Sequence, residues 1–148
     1  MTHEGIPIDG LVLVCDGAKA LFLKNEGRPH KSHLTTVEFF NEPHPAAHDL
    51  GTERPGRVYQ SFSSARSTSE ERDLHNEAEI AFLIKIAGEL DRMVTADAIR
   101  AVILVAPPSA LGILRKHLTP VVQSALQKEI GKDLTHLSVG EIEEHLAA

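Results

Sequence analysis

The sequence predicts an α/β domain with a mixed five-stranded sheet, in which three antiparallel strands are followed by two parallel ones and helices cover both faces. Three observations predict this class: two short apolar runs around Asp16-Gly17, a long helical period from Glu70, and the unbroken apolar run VILV at 102–105. The chain has 148 residues, of which 42% are apolar and 24% charged. This size fits one hydrophobic core, so we expect a single domain over residues 1–148.

An antiparallel meander opens the predicted fold. Residues 11–16 (LVLVCD) and 19–25 (KALFLKN) are strand-like, and Asp16-Gly17 between them is typical of a tight hairpin turn. Residues 30–40 alternate in polarity and predict a third strand. Residues 41–69 then hold three Pro, two Gly and five Ser without a lasting period. We expect a long loop there, and such loops in small domains are often contact surfaces.

A long helix is predicted from Glu70 onward. Its apolar side chains follow three- and four-residue steps to Val94, and Ser67 with Glu70 has the spacing of a capping box. The middle of this helix, residues 80–88 (IAFLIKIAG), is apolar nearly all round. We therefore expect it to lie against the sheet and also under other covering structure.

The last third of the chain predicts two strands that alternate with helices. The predicted elements are a strand over 98–106 that is buried on both faces, a helix capped by Ser109, a helix from Thr119-Pro120 to Gly131, a strand over 132–138, and a helix capped by Ser138 with Glu141. The resulting βββαβαβα order is the ribonuclease H-like arrangement, in which the first and fourth strands are parallel neighbours.

Charge and cysteine content limit the classes of function. The net charge is −6, whereas proteins that bind nucleic acids usually carry a basic face. Residues 54–69 are a local exception, with Arg54, Arg57 and Arg66 and no acid. The single thiol, Cys15, has no partner in the chain, which excludes a disulfide-stapled secreted scaffold. The sequence shows no signal-like segment and no membrane span, so we expect a cytoplasmic protein.

Familiar catalytic motifs are absent from the sequence. Asp16 ends the first strand, where a ribonuclease H-like nuclease needs a carboxylate, but the fourth strand ends in Ala106-Pro107-Pro108 without an acid. We therefore interpret Asp16 as a turn residue. No phosphate-binding loop, serine elbow or zinc spacing occurs, and we expect no cofactor and no metal. Four histidines could lie near one another, but their spacing does not require a metal site. We interpret them as exposed residues: His30, His33, His44 and His48.

A further hypothesis places an anion at the carboxyl edge of the sheet. Asp16, the helix start at Ser109 and the arginine-containing loop would meet there, and amides at a helix start can hold an anion. The alternative that stays open is that Pro107, Pro108 and Ser109 only end a strand and begin a helix.

Four blocks of the sequence resemble the bacterial host attachment protein family, whose members are named as proteins required for attachment to host cells. The blocks are LVLVCDGAKALFL, GRVYQSFSSARS, VILVAPPSALGILRKHL and KDLTHLSVGEIEEHL, spread over residues 10–146. The resemblance implies a remoter similarity to the middle domain of archaeal and eukaryotic peptide-chain release factors and Pelota, which has a ribonuclease H-like fold without nuclease activity. The Gly-Gly-Gln motif of release factors is absent, so peptide release is not implied.

Three functions are compatible with these observations. The first, suggested by the release-factor resemblance, is a non-enzymatic module that contacts RNA or the ribosome. The second is an interaction or regulatory protein in attachment that acts through an unidentified protein partner, and the third is a metal-dependent nuclease or phosphate-ester hydrolase. The first is the expectation that we carry forward. Its candidate contact residues are Arg54, Arg57, Tyr59, Ser61, Arg66, Ser109 and Asp16.

Overall fold

A computed structural model describes residues 6–27, 31, 33–42 and 60–147, and the side chains of these residues outside 60–75 and 147. The strands are β1 (Leu11–Cys15), β2 (Lys19–Asn25), β3 (Leu34–Asn41), β4 (Val102–Val105) and β5 (Leu126–Ile130). The helices are α1 (Gln60–Asp97), α2 (Pro108–His117), α3 (Pro120–Ala125) and α4 (Val139–Ala147). The strands form one sheet in the order β3-β2-β1-β4-β5.

The pairing of these strands confirms the predicted mixed α/β class. Strands β1, β2 and β3 form an antiparallel meander, with Cys15 opposite Ala20 at the first hairpin. Strand β4 lies parallel to β1, and β5 lies parallel to β4 on its other side. The first and fourth strands are therefore neighbours, as the element order predicts.

Alternation along β1 divides the core into two layers. Leu11, Leu13 and Cys15 face the buried side chains of α1, α2 and α3, whereas Val12 and Val14 face α4. Strand β4 is buried along its whole length, as expected for a central strand covered on both faces. The carboxyl ends of β1 and β4 consequently open onto the same edge of the sheet.

The β1–β2 hairpin is confirmed, but its turn is held by a carboxylate. Asp16 Oδ1 accepts hydrogen bonds from the amides of Ala18 and Lys19, each at 2.7 Å. Gly17 is not in the left-handed region, so the turn does not depend on the conformational freedom of glycine.

Helix α1 begins ten residues before the predicted start. Residues 60–69 are helical, so the expectation of a loop over all of 41–69 is wrong at its end, and Ser67 with Glu70 lies inside the helix instead of capping it. No Pro or Gly occurs between Arg57 and Gly88, so nothing in the backbone chemistry stops the helix from extending back. Residues 43–59 lie outside the described residues.

The middle of α1 is covered on one side only. Phe82, Leu83 and Ile86 are buried in the core, whereas Ile80 and Ile84 are 40% and 43% exposed. The expected further covering structure is present as α2 and α3, which pack against α1, but it does not extend over Ile80 and Ile84. None of the described helices is both long and apolar enough to cross a membrane.

The fifth strand is displaced from its predicted position. It spans Leu126–Ile130, not residues 132–138, and α3 ends at Ala125 instead of continuing to Gly131. A bulge explains the difference, because Val102 pairs with Leu126 and Ile103 with Lys128, which skips Gln127. Leu126 and Ile130 thus pack on opposite faces of the sheet although their spacing is typical of a helix.

Two of the four predicted helix caps are present, since Ser67 with Glu70 lies inside α1 and Ser109 makes no cap bond. Thr119 Oγ1 accepts from the amide of Val122 at 3.3 Å. Ser138 and Glu141 form the expected reciprocal box, at 3.2 Å and 2.9 Å. Ser109 is not a cap, since α2 begins at Pro108 with Pro107 in the cap position and no side-chain cap bond. Proline at the first helical position reduces the need for a cap, because proline has no backbone N–H that requires a hydrogen-bond acceptor.

Candidate functional site

A groove of about 680 Å³ opens at the edge where β1 and β4 end. We call it the carboxyl-edge groove. It is lined by Asp16, Gly17 and Ala18 of the first turn, Asn76, Glu79, Ile80 and Leu83 of α1, Pro107, Ser109, Ala110 and Ile113 around the start of α2, and Asp133 after β5. Ligands of open α/β sheets usually bind at this edge.

Two carboxylates on one side of the groove are joined by a hydroxyl. Thr135 Oγ1 lies 2.7 Å from Asp133 Oδ1 and 3.2 Å from Asp16 Oδ2, so its single hydroxyl proton is shared between the two carboxylates. The amide of Thr135 also donates to Asp133 Oδ1 at 3.1 Å. The loop after β5 is thereby attached to the β1–β2 turn, and both carboxylates are fixed in position.

A third carboxylate reaches the same turn from α1. A Cβ atom built on Gly17 would lie 2.7 Å from both Cγ and Cδ of Glu79, closer than real Cβ atoms approach. The absence of a side chain at Gly17 is what allows Glu79 to approach the turn. Asp16, Glu79 and Asp133 therefore give the groove one acidic side.

Much of the remaining lining of the groove is apolar. This apolar wall consists of Ile80 and Leu83 of α1 and Ala110 and Ile113 of α2. Leu83 and Ala110 are buried, whereas Ile80 stays 40% exposed. No Lys, Arg or His lines the groove among the residues that the structure describes.

The acidic residues of the groove affect the pKa of the thiol of Cys15. Burial, together with the nearby charges of Asp16 and Asp133, raises the pKa of Cys15 to about 12. Cys15 is completely buried. The thiol is therefore a protonated core residue.

The structure brings together only some of the contact residues predicted from the sequence. Asp16 and Ser109 lie together in the carboxyl-edge groove, as the hypothesis of a site at this edge predicts. Arg54, Arg57 and Tyr59 lie outside the described residues, as do His30, His44 and His48. Ser61 and Arg66 belong to the first turns of α1. His33 is exposed beside β3.

Sequence reasoning missed two of the three acidic residues of the groove. It counted one carboxylate at this edge, because Glu79 was one of several acids on the long helix and Asp133 was placed inside a strand. The available signal was Asp133-Leu134-Thr135, whose spacing suits a carboxylate that accepts from the amide two residues later. Among the described residues, no group of three or more His, Cys, Asp or Glu is arranged to hold a metal ion.

Comparison with known proteins assigns the family. Residues 11–146 match the model of the family described as "Protein required for attachment to host cells". The chain belongs to this family. No curated protein matches the chain at a significant level.

Several solved chains are similar to the host attachment family protein, and one of them has low sequence identity to it. It is the ethanolamine utilization protein EutJ from Carboxydothermus hydrogenoformans, with 11% identity and a TM-score of 0.44. The match covers 86% of this chain and 46% of that protein, so the chain spans less than half the length of EutJ.

Proposed function

We propose that this protein is a non-enzymatic binding module that serves host attachment by contacting a partner protein through the carboxyl-edge groove. The observation that supports this most is the composition of the groove: an apolar wall and an acidic side meet in one concavity. Concave sites with an apolar lining and a few placed polar groups are the usual form of binding sites.

Binding is favoured over catalysis by how the carboxylates are held. Both oxygens of Asp16 accept hydrogen bonds, from Ala18 and Lys19 on one side and from Thr135 on the other. Asp133 accepts from the amide and hydroxyl of Thr135. These bonds give the acids a structural role in joining two loops, for which no reaction is needed.

The finer assignments of fold and location belong to the same proposal. A ribonuclease H-like relationship, and through it a relation to the middle domain of release factors and Pelota, is supported by the strand order β3-β2-β1-β4-β5 with β1 and β4 parallel. A single domain over 1–148 is supported by two core layers that share one sheet. A cytoplasmic location is supported by the unpaired thiol of Cys15.

The test is attachment by cells that carry Ile80→Arg. The new guanidinium would stand on the apolar wall while the fold survives, because Ile80 is 40% exposed. Val121→Arg is the matched control, since Val121 is 51% exposed on α3 and does not line the groove. We expect attachment to fall for Ile80→Arg alone, with both proteins melting cooperatively. Equal attachment by the two strains contradicts the proposal.

Contact with RNA or the ribosome is the second candidate. The observation in its favour is that residues 54–69 carry Arg54, Arg57 and Arg66 without an acid, beside Tyr59 and Ser61. The acidic side of the groove disfavours phosphate there, so this contact would use the arginine segment instead. Ribosome co-sedimentation at low and moderate salt tests it, with the triple Arg→Gln variant as control. A protein that stays in the supernatant at both salt concentrations excludes it.

A further inference from the structure

The apolar wall of the carboxyl-edge groove continues beyond the groove. Ile84 lies one helical turn after Ile80 on α1 and is 43% exposed. Exposed apolar side chains are individually common, but a row that leads into a concavity marks a docking surface for another chain. A partner could therefore bury Ile80 and Ile84 together.

The charged residues that line the groove, among those the structure describes, have one sign. Asp16, Glu79 and Asp133 line the groove without a basic residue among the described lining residues, so a ligand with negative charge would be repelled. Asp16 and Asp133 are fixed by Thr135, and Glu79 is packed against Gly17. Fixed carboxylates bind a cation without paying to order flexible side chains.

From the apolar wall and the acidic side together, we infer that the groove receives a basic, amphipathic segment of the partner protein. An arginine or lysine stem would lie along Ile80 and Ile113, and its charged head would point toward Glu79 and Asp133. Arginine suits the site better than lysine, because its planar donors match carboxylates. The inference rests on the proposed function and adds the chemistry of its partner.

The test measures binding of a fluorescein-labelled peptide, Gly-Leu-Arg-Leu-Arg-Gly amide, to the full chain by fluorescence anisotropy. A second peptide carries citrulline for arginine, which keeps the shape and removes the charge. We expect saturable binding of the arginine peptide that weakens at least fivefold with citrulline and also weakens as salt is raised. Glu79→Gln should weaken binding of the arginine peptide about fivefold, the range of one exposed charged contact.

Two matched controls separate charge from position. Glu144→Gln removes the same charge from an exposed position on α4, on the other face of the sheet, and should leave affinity unchanged. Ile80→Thr should weaken the binding of both peptides, whereas Val121→Thr should leave the binding of both unchanged. Amide chemical shifts should move around Glu79 and Ile113.

The possible outcomes distinguish the inference from the proposed function. If the citrulline peptide binds as tightly as the arginine peptide, or neither peptide binds, the partner is not a basic segment and the inference is overturned. The proposed function then still stands if Ile80→Arg impairs attachment. If Ile80→Arg leaves attachment intact, the proposed function fails whatever the peptides do.

Discussion

Thr135 and Asp16 are 119 positions apart in the chain, yet the hydroxyl of Thr135 donates to Oδ2 of Asp16 at 3.2 Å. The same hydroxyl lies 2.7 Å from Asp133 Oδ1. One donor thus holds two like-charged groups near each other at the groove. Removal of the Thr135 hydroxyl should lower the stability of the whole chain, because this hydroxyl connects the first turn to the loop after β5.

Thr135→Val should therefore destabilise the fold by about 1 kcal/mol, since the shape is kept while the part-buried contact to Asp16 and the exposed contact to Asp133 lose their donor. Urea unfolding followed by circular dichroism measures the change. Thr36→Val, at an exposed position of β3, is the control and should change stability by less than about 0.5 kcal/mol. Equal effects of the two substitutions would contradict the role of Thr135.

Gly17→Ala should displace the Glu79 carboxylate, because the new methyl would lie 2.7 Å from its Cγ and Cδ. We expect a cost of about 1 kcal/mol, as for other overpacked contacts. In a Glu79→Ala background the same substitution should cost less by at least about 0.5 kcal/mol, because the clash is gone. A double-mutant cycle of urea unfolding measures this coupling, and strictly additive costs would refute the contact.

Ala98→Gly should stabilise the end of α1. Ala98 has a φ of 51°, and the amide of Ile99 donates to the carbonyl of Val94 at 3.1 Å, so the helix ends in a Schellman motif with a non-glycine residue. Relief of the left-handed strain is worth about 1 kcal/mol. Ala96→Gly, two residues earlier in the helix, should instead destabilise by about 0.5–1 kcal/mol. Thermal melts of the two variants should shift in opposite directions.

The capping box of α4 should weaken in acid. The amide and hydroxyl of Ser138 lower the pKa of Glu141 below its ordinary value of 4.5, and His136 and His145 act in the same direction. A carboxyl with a lowered folded-state pKa stabilises fully above 4.5 and loses this contribution as the pH falls through the folded-state value.

The measurement is the stability of wild type and Glu141→Gln as the pH is lowered. The advantage of wild type over Glu141→Gln should be constant near neutral pH and should shrink below pH 4.5. Glu144→Gln serves as the control, because Glu144 is an exposed acid on the same helix. An advantage that grows in acid would reverse the expected sign.

Cys15 should resist alkylation in the folded protein. Its pKa of about 12 and complete burial leave almost no thiolate and no access for iodoacetamide at mildly alkaline pH. Mass spectrometry should show modification that follows the rate of unfolding, with rapid labelling in guanidinium as the positive control. Fast labelling of the native chain would contradict the buried position.

The sequence predicts best those elements whose partners are close along the chain or whose pattern is unbroken. The β1–β2 hairpin follows from two runs and one turn, and the VILV of β4 is recognisable by itself. Strand β5 has no such pattern. A bulge at Gln127 places Leu126 and Ile130 on opposite faces of the sheet, whereas their spacing in the sequence indicates a helix. Only pairing with β4 makes this segment a strand.

The groove could be predicted only in part for the same reason. The predicted topology placed Asp16 and Ser109 at the carboxyl edge of the sheet, where the structure also has them, since both follow neighbouring strands. Glu79 and Asp133 arrive there through the packing of α1 against Gly17 and through the bond from Thr135 to Asp16, neither of which leaves a period in the sequence.

The groove takes its walls from four separated stretches of chain, so it exists only while the chain is folded. Any molecule that occupies it must therefore shift the unfolding equilibrium, by about 2.7 kcal/mol at a concentration one hundred times its dissociation constant. Melting the protein in the presence of candidate compounds is thus a direct way to find its natural ligand. Compounds that raise the midpoint of wild type but not of Ile80→Arg would be the ones to pursue.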